Sequence, residues 1–280
     1  MQNSKYRYSV GGLTFALDIP EFTEGESLSI FRTGRADGDV TYRVTVTDGT
    51  VSPANGELLF EENWIRYVKT GNCLVCERYD ERDGSLYMTD TVNGDAHEIL
   101  FNASFADYIR TDLVTKMLNI PRAVIPHGGV FLHSSFIDAG GEAILFTGPK
   151  QMGKSTQAAL WEKYRGSETV NGDRALLRKK DGRWYAWGSP YSGTSGICKN
   201  RSLPVKAIVV LSQAEESTAC RTAKRRALGA LLDGCSFDTW DKEAVSLVLD
   251  TAGEIIKDVP VVSLACRPDE SAICALEKVL

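Results

Sequence analysis

No segment of this 280-residue sequence approaches membrane-spanning length, and no internal repeat or low-complexity stretch interrupts it. The start, Met1-Gln-Asn-Ser-Lys-Tyr-Arg, carries no apolar signal core, so a cytoplasmic protein with no membrane association is expected. Positive charge is not in excess. The net charge of −5 and isoelectric point near 5.4 argue against nucleic acid as a partner, yet leave room for a local basic pocket that takes phosphates. Histidine is limited to His97, His127 and His133. The seven cysteines are an odd, scattered set, as suits free thiols in a reducing cytosol. Cys73-x-x-Cys76 is the one close pair, without a second pair or a His-rich partner, so it reads as two core or hairpin cysteines before it reads as a zinc or redox site. The Asn-Lys-x-Asp element of guanine-specific switches is missing too.

What is present is ordinary in bulk. Hydrophobic residues at 43% and charged residues at 25% describe a globular protein of one large or two ordinary domains. The distinctive stretch is Gly148-Pro149-Lys150-Gln151-Met152-Gly153-Lys154-Ser155-Thr156, which fits Gly-x-x-x-x-Gly-Lys-Ser/Thr, the Walker A phosphate-binding pattern (P-loop), at every fixed position. Its glycines permit a backbone that curls N–H groups around phosphate oxygens. Lys154 reaches the outer phosphates, Ser155 offers its hydroxyl to Mg²⁺, and a helix beginning there points its positive end at the anion. The apolar run Ala143–Thr147 before the loop suits a buried strand, and Ser155–Tyr164 after it places Ala158, Trp161 and Tyr164 on one helical face. ATP binding with Mg²⁺ is the expectation.

Residues 1–104 read as a β-rich, antiparallel N-terminal domain. Short runs recur at Tyr6–Val10, Leu13–Ile19, Val40–Val46, Leu58–Phe60, Trp64–Val68, Cys73–Arg78, Leu86–Thr89 and His97–Phe101, separated by turn signals such as Asp48-Gly49, Asn55-Gly56, Asp83-Gly84 and Asn93-Gly94. Helical spacing over Ser104–Leu118 predicts a helix, and 105–127 is read as a connecting helix and linker. Residues 128–280 alternate strands and helices: strands at Val130–His133, Phe136–Asp138, Ala143–Thr147 and Val205–Leu211, a hairpin across Asp181-Gly182, helices at Thr222–Leu232 and Lys242–Lys257, a strand at Val259–Ala265 and a last helix over Asp269–Leu280. This half reads as an α/β domain, which makes the whole α+β.

The strand Val205–Leu211 runs into Ser212-Gln213, so no acid stands there to hold a metal. The candidate is Asp173, in Thr169-Val-Asn-Gly-Asp173-Arg174: its carboxylate can bind Mg²⁺ or take a proton from an attacking hydroxyl, and Asn171-Gly172-Asp173 reads equally as a plain turn. His133, ahead of Ser134-Ser135, can orient a nucleophile near the phosphoryl group, or be a core histidine bonded to backbone. The segment Gly188–Arg201, with Ser189, Ser192, Thr194, Ser195, Lys199 and Arg201, suits a loop closing over polyphosphate, and suits an exposed loop as well.

Taken together, His133, a fourteen-residue spacer, Gly148-x₄-Gly-Lys-Ser, then Arg165-Gly166 and an acid at 173 resemble the catalytic domain of bacterial HPr kinase/phosphorylase. That family has a histidine at the same distance before the phosphate loop and a pair of aspartates after Arg-Gly, as metal ligand and base. Its fold is distantly similar to the nucleotide domain of ATP-dependent phosphoenolpyruvate carboxykinase. The resemblance covers residues 128–175 well. It is strongest to HPr-kinase-related proteins whose signatures read here as Leu132-His133-Ser134-Ser135, Gly148–Thr156, Asn171-Gly172-Asp173 and Gly188-Ser189-Pro190-Tyr191-Ser192-Gly193. Gly172 replaces the first aspartate of the pair.

The resemblance implies a 128–280 HPr-kinase-like P-loop domain and an ATP/Mg²⁺-dependent kinase acting on a hydroxyl acceptor, a serine-type residue or a small molecule. Lys154, Asp173 and His133 would be catalytic, with Ser155 and Asp173 on the metal. HPr kinases assemble as oligomers, so a homo-oligomer is a further implication. The family's C-terminal phosphorylase signature is not evident. A nucleotide-binding regulatory or assembly module is the alternative, and a carboxykinase-like enzyme a third reading.

Overall fold

The computed structural model describes residues 3–280. It is a mixed α/β protein with two large sheets and few helices. The chain divides into two compact units, Met1–Ala123 and Val124–Leu280. Among the described residues no helix is long and apolar enough to cross a membrane.

The first unit is an eight-stranded sheet. Its strands are β1 (Asn3–Val10), β2 (Leu13–Pro20), β3 (Val40–Thr47), β4 (Glu57–Glu62), β5 (Ile65–Thr70), β6 (Cys73–Tyr79), β7 (Leu86–Asn93) and β8 (Ala96–Asn102), in the order β1-β2-β3-β8-β7-β6-β5-β4. The period-two alternation works as read. In β3, Val40, Tyr42 and Val44 are buried while Thr41, Arg43 and Thr45 are exposed. The sheet is not purely antiparallel, however, because β3 runs parallel to both of its neighbours, β2 and β8. Residues 21–39, with the short helix α1 (Glu26–Ser29), give the chain the length to cross over between β2 and β3. Alternation looks the same for either strand direction, so the sequence pattern does not report it.

Two further expectations are corrected. Trp64 does not open a strand: with Asn63 (φ 49°) and Trp64 (φ 66°) both left-handed between the paired residues Glu62 and Ile65, these two form a tight type I′-like hairpin turn. The helix expected over Ser104–Leu118 is broken. A 3₁₀ turn at Ala103–Tyr108 is capped by the Asn102 side chain, which accepts from Ser104 N–H at 2.8 Å, and Ile109 and Arg110 are then extended. Helices α2 (Thr111–Leu118) and α3 (Ile120–Ala123) follow. The apolar spacing is satisfied by two short segments, since Ile109, Val114, Met117 and Leu118 are all buried. The side chain of Tyr108, expected on that face, lies outside the described residues. The Tyr42 hydroxyl donates to the Leu118 carbonyl, tying the end of α2 to β3.

The second unit holds β9 (Gly129–Asp138), β10 (Ala143–Thr147), α4 (Lys154–Arg165), β11 (Glu168–Asn171), β12 (Arg174–Lys180), β13 (Arg183–Trp187), β14 (Ser202–Gln213), β15 (Thr218–Arg221), α5 (Lys224–Gly234), β16 (Cys235–Ser236), α6 (Lys242–Asp258), β17 (Val261–Cys266) and α7 (Glu270–Glu277). β9 is one strand where two were expected. Ser134 and Ser135 remain within it, fully buried, because their hydroxyls donate to the carbonyls of Leu132 and Gly172. β10 pairs antiparallel with β9 on one edge and parallel with β14 on the other. Because β9, β12, β13 and β14 also pair in series, these five strands close into a ring.

Every residue of β10 is buried, and its two faces feed two cores. Ile144 and Phe146 pack with Ala158 and Trp161 of α4 and Ile273 of α7. Leu145 packs on the other side with Leu231 of α5 and Val248 and Ile255 of α6. A fully sandwiched strand of this kind reads as an unbroken apolar run, which is how it stood in the sequence. Phe146 is 0% exposed and sits 6.5 Å from the Trp161 ring. Phe146→Ala should therefore cost about 3–5 kcal/mol in chemical denaturation, whereas Leu58→Ala, at a side chain 48% exposed, should stay within about 0.5 kcal/mol.

Candidate active site

The site is built where β10 ends. The chain leaves Thr147 through Gly148 (φ 145°), passes Gln151 (φ 66°) and enters α4 through Gly153 (φ 96°), so three left-handed residues bend a six-residue loop. Gly148 is required twice over. Its φ disfavours any side chain, and a Cβ there would sit 3.3 Å from the Leu211 carbonyl of β14. Lys154 is 9% exposed, and its Nζ donates to the loop's own carbonyls, Gly148 O at 3.0 Å and Pro149 O at 3.1 Å. Burial lowers its pKa, and the charge of Asp173 works the other way. Neutral carbonyls satisfy the geometry of an ammonium but not its charge, so the cation is poised for an anion. Ser155 and Thr156 are exposed at the first turn of α4.

His133 and Asp173 face this loop from β9 and the start of β12. Asp173 O accepts from Ser134 N–H at 2.9 Å and lies 3.0 Å from His133 Nδ1, with Asp173 Oδ1 3.4 Å from the same nitrogen. A carbonyl can only accept, so Nδ1 carries the proton and Nε2 is left as an acceptor. Burial lowers the His133 pKa first and the Lys154 charge lowers it further, against the opposing pull of Asp173. The imidazole is accordingly neutral near pH 7. Both readings of His133 meet here: one ring nitrogen is bonded to backbone and the other is available.

Asn171 is the residue that sequence reasoning underrated, treating it only as part of a turn. It is 0% exposed. Its Oδ1 accepts from the N–H groups of Asp173 (3.0 Å) and Arg174 (2.8 Å), while Nδ2 donates to the carbonyls of Ser189 (3.0 Å) and Tyr191 (3.3 Å). The turn and the candidate site are thus one object: the Asn171 amide fixes the backbone that carries Asp173. An asparagine ahead of Gly-Asp was the available signal, and it reads the same for an exposed turn.

Gly172 is packed. A Cβ there would lie 2.0 Å from Ser195 Oγ, which itself donates to Ser192 O at 2.7 Å. A Cβ on Gly193 would lie 2.7 Å from the Asp173 Cβ. The segment 189–197 therefore covers the place where the resembling family carries its first aspartate, and it lies against the second. Its hydroxyls are turned partly inward, with Ser189 fully buried and donating to Arg174 O at 2.7 Å. The cations that follow it do not face the loop as expected, because Lys199 (2.5 Å) and Arg201 (2.7 Å) both pair with Glu168. Arg174 is half-exposed beside the site, 3.5 Å from Asp173 Oδ2 and over the Tyr191 ring.

No group of three or more His, Cys, Asp or Glu side chains that could hold a metal occurs among the described residues. Ser155 and Asp173 can supply two oxygens, which suits Mg²⁺, an ion that completes its shell with phosphate and water. Cys73 and Cys76, three apart on β6, project to opposite faces of the strand, and burial pushes the Cys76 thiol up to about 11. Cys76 is a core cysteine, and the half-buried Cys73 opens β6 after the hairpin turn, opposite Thr70.

No protein-family model matches the sequence, and no curated protein matches it. Among solved structures, the chain is similar to the Hpr(Ser) kinase/phosphatase from Coxiella burnetii, with a TM-score of 0.31 and 13% sequence identity, covering 53% of this chain and 87% of that one. The functional reading rests on the residues themselves.

Two measurements check the geometry. Asn171→Ala leaves two part-buried N–H groups without their acceptor and should cost about 1–3 kcal/mol in all on unfolding, loosening the Asp173 turn. An NMR titration should place His133 below the ordinary 6.5 and show the value rising in Lys154→Met. The unfolded chain binds this proton more readily, so the neutral ring contributes stability above pH 6.5 that is lost as pH falls through the native value.

Proposed function

We propose that the chain is an ATP- and Mg²⁺-dependent kinase that transfers the γ-phosphoryl group to a hydroxyl, on a serine-type residue or a small molecule. The observation that carries this reading is Lys154. It is a nearly buried ammonium resting on carbonyls of its own loop at a helix start, with a carboxylate and a neutral imidazole facing it. Lys154 and the N–H groups of Gly148–Thr156 hold the phosphates. Ser155 and Asp173 would hold Mg²⁺, which would supply charge neutralisation on the phosphates. Asp173 takes the proton of the acceptor hydroxyl as its oxygen bonds to phosphorus and the bridging oxygen of ATP leaves. His133, with Nε2 as acceptor, orients that hydroxyl. The odd, scattered cysteine set supports a cytoplasmic setting.

A second reading, a nucleotide-binding regulatory or assembly module with little transfer, is favoured by one observation: Ser195 fills the space at Gly172, so one carboxylate serves where the resembling family uses two. Binding and turnover separate these readings. Asp173→Asn should still bind Mg·ATP by calorimetry, more weakly for the loss of a charged metal ligand, while turnover with hydroxyl acceptors falls by about two to four orders of magnitude. Lys154→Met should lose affinity as well. Full turnover in Asp173→Asn would refute the assignment, and tight binding without transfer in the wild type would establish the module. The acid limb of kcat/KM should follow the lowered His133 pKa, since its protonation removes the Nε2 acceptor and adds a cation beside Lys154.

A further inference from the structure

The first unit contains a cavity of about 500 Å³ that the reading above does not use. This volume falls in the range of small-molecule sites. Its walls are aromatic. Tyr87 stacks on Phe105 at 5.1 Å and meets the fully buried Phe101 edge-on at 5.9 Å, and the Trp64 indole borders the cavity at 52% exposure. Three cationic side chains, Arg78, Arg82 and Lys116, line it as well.

Arg78 is incompletely satisfied. One Nη donates to the Lys116 carbonyl at 3.4 Å, while Nε is buried with no hydrogen-bond partner, and no carboxylate among the described residues pairs with the guanidinium. The guanidinium lines the cavity, so a carboxylate entering there would meet a cation that has no acidic partner. The other guanidinium of the lining is already occupied: Arg82 bonds both oxygens of Asp80, at 3.0 and 3.1 Å from Nε. Glu81, also in the lining, disfavours a highly charged anion.

Trp64 adds an independent sign. The hairpin turn puts it at φ 66°, in the second position of a two-residue turn where glycine is the undemanding choice. A large aromatic residue held there is strained and half in solvent, so the fold gains little from it. Strain of this kind gathers at ligand sites.

We propose that this cavity is a binding site for a small aromatic carboxylate, with its ring against Trp64 and Tyr87 and its carboxylate on Arg78, with Lys116 at the mouth. A planar two-oxygen monoanion matches a guanidinium that lacks a carboxylate partner, and the aromatic walls match a flat ring.

The test is calorimetry on the full chain with indole-3-acetate and its neutral analogue indole-3-acetamide. The acetate should bind, and the amide should bind at least tenfold more weakly. Arg78→Gln should weaken the acetate at least tenfold, and Arg78→Lys should not restore it, because an ammonium lacks the fork. Trp64→Gly should weaken binding about tenfold while the melting temperature holds or rises, since glycine relaxes the turn. Lys154→Met should bind the acetate as the wild type does, which separates this site from the nucleotide reading. Absence of acetate binding at millimolar concentration, equal binding of acid and amide, or a Trp64→Gly variant that melts lower and keeps its affinity would each overturn the proposal. Should Arg78→Gln fail to fold, the acid–amide comparison and Trp64→Gly still decide.

Discussion

The second unit turns on a single buried amide. Asn171 sits where the chain leaves β11 and enters β12, and its side chain does the work of a short stretch of backbone, accepting two N–H bonds and donating to two carbonyls. With that turn fixed, the Asp173 carbonyl stands where β9 can reach it with both Ser134 N–H and the His133 ring. The tautomer of the histidine, the placement of the carboxylate and the closeness of the 189–197 segment all follow from it. An amide suits this place because it is polar at both ends yet uncharged, so it can be buried fully without the desolvation penalty of an ion.

Charge is arranged around that frame with restraint. Lys154 is the buried cation, it lowers the proton affinity of His133, and Asp173 offsets part of the effect. The peripheral cations Lys199 and Arg201 are held by Glu168. The field in the loop is therefore set by Lys154 and the helix start, with Arg174 as a half-exposed neighbour whose carboxylate contact is long.

How much of this was legible depended on how local the physics was. The strand, loop and helix around Gly148–Thr156 are consecutive in sequence, and each needs a residue type that few other contexts demand; they read directly. The apolar runs of the first unit showed their strands for the same reason. Direction is a long-range property, so β3 running parallel to both neighbours left no mark on its alternation. Trp64 misled because aromatic residues favour strands, while the hairpin geometry took it for the turn. Asn171 and Gly172 were ambiguous by nature. A buried hub and an exposed turn use the same residues, and only the contacts of Ser189 and Ser195, far along the chain, tell them apart.

The ring of strands has one mechanical consequence. β10 is bonded along both edges and covered on both faces, so its amides can exchange with solvent only when the unit opens as a whole. The loop that follows is thus rooted in a strand held on all sides. Any rearrangement on taking up an anion must be absorbed ahead of that root, in 148–153 and in the glycine-bearing segment 189–197, while the strand beneath stays still.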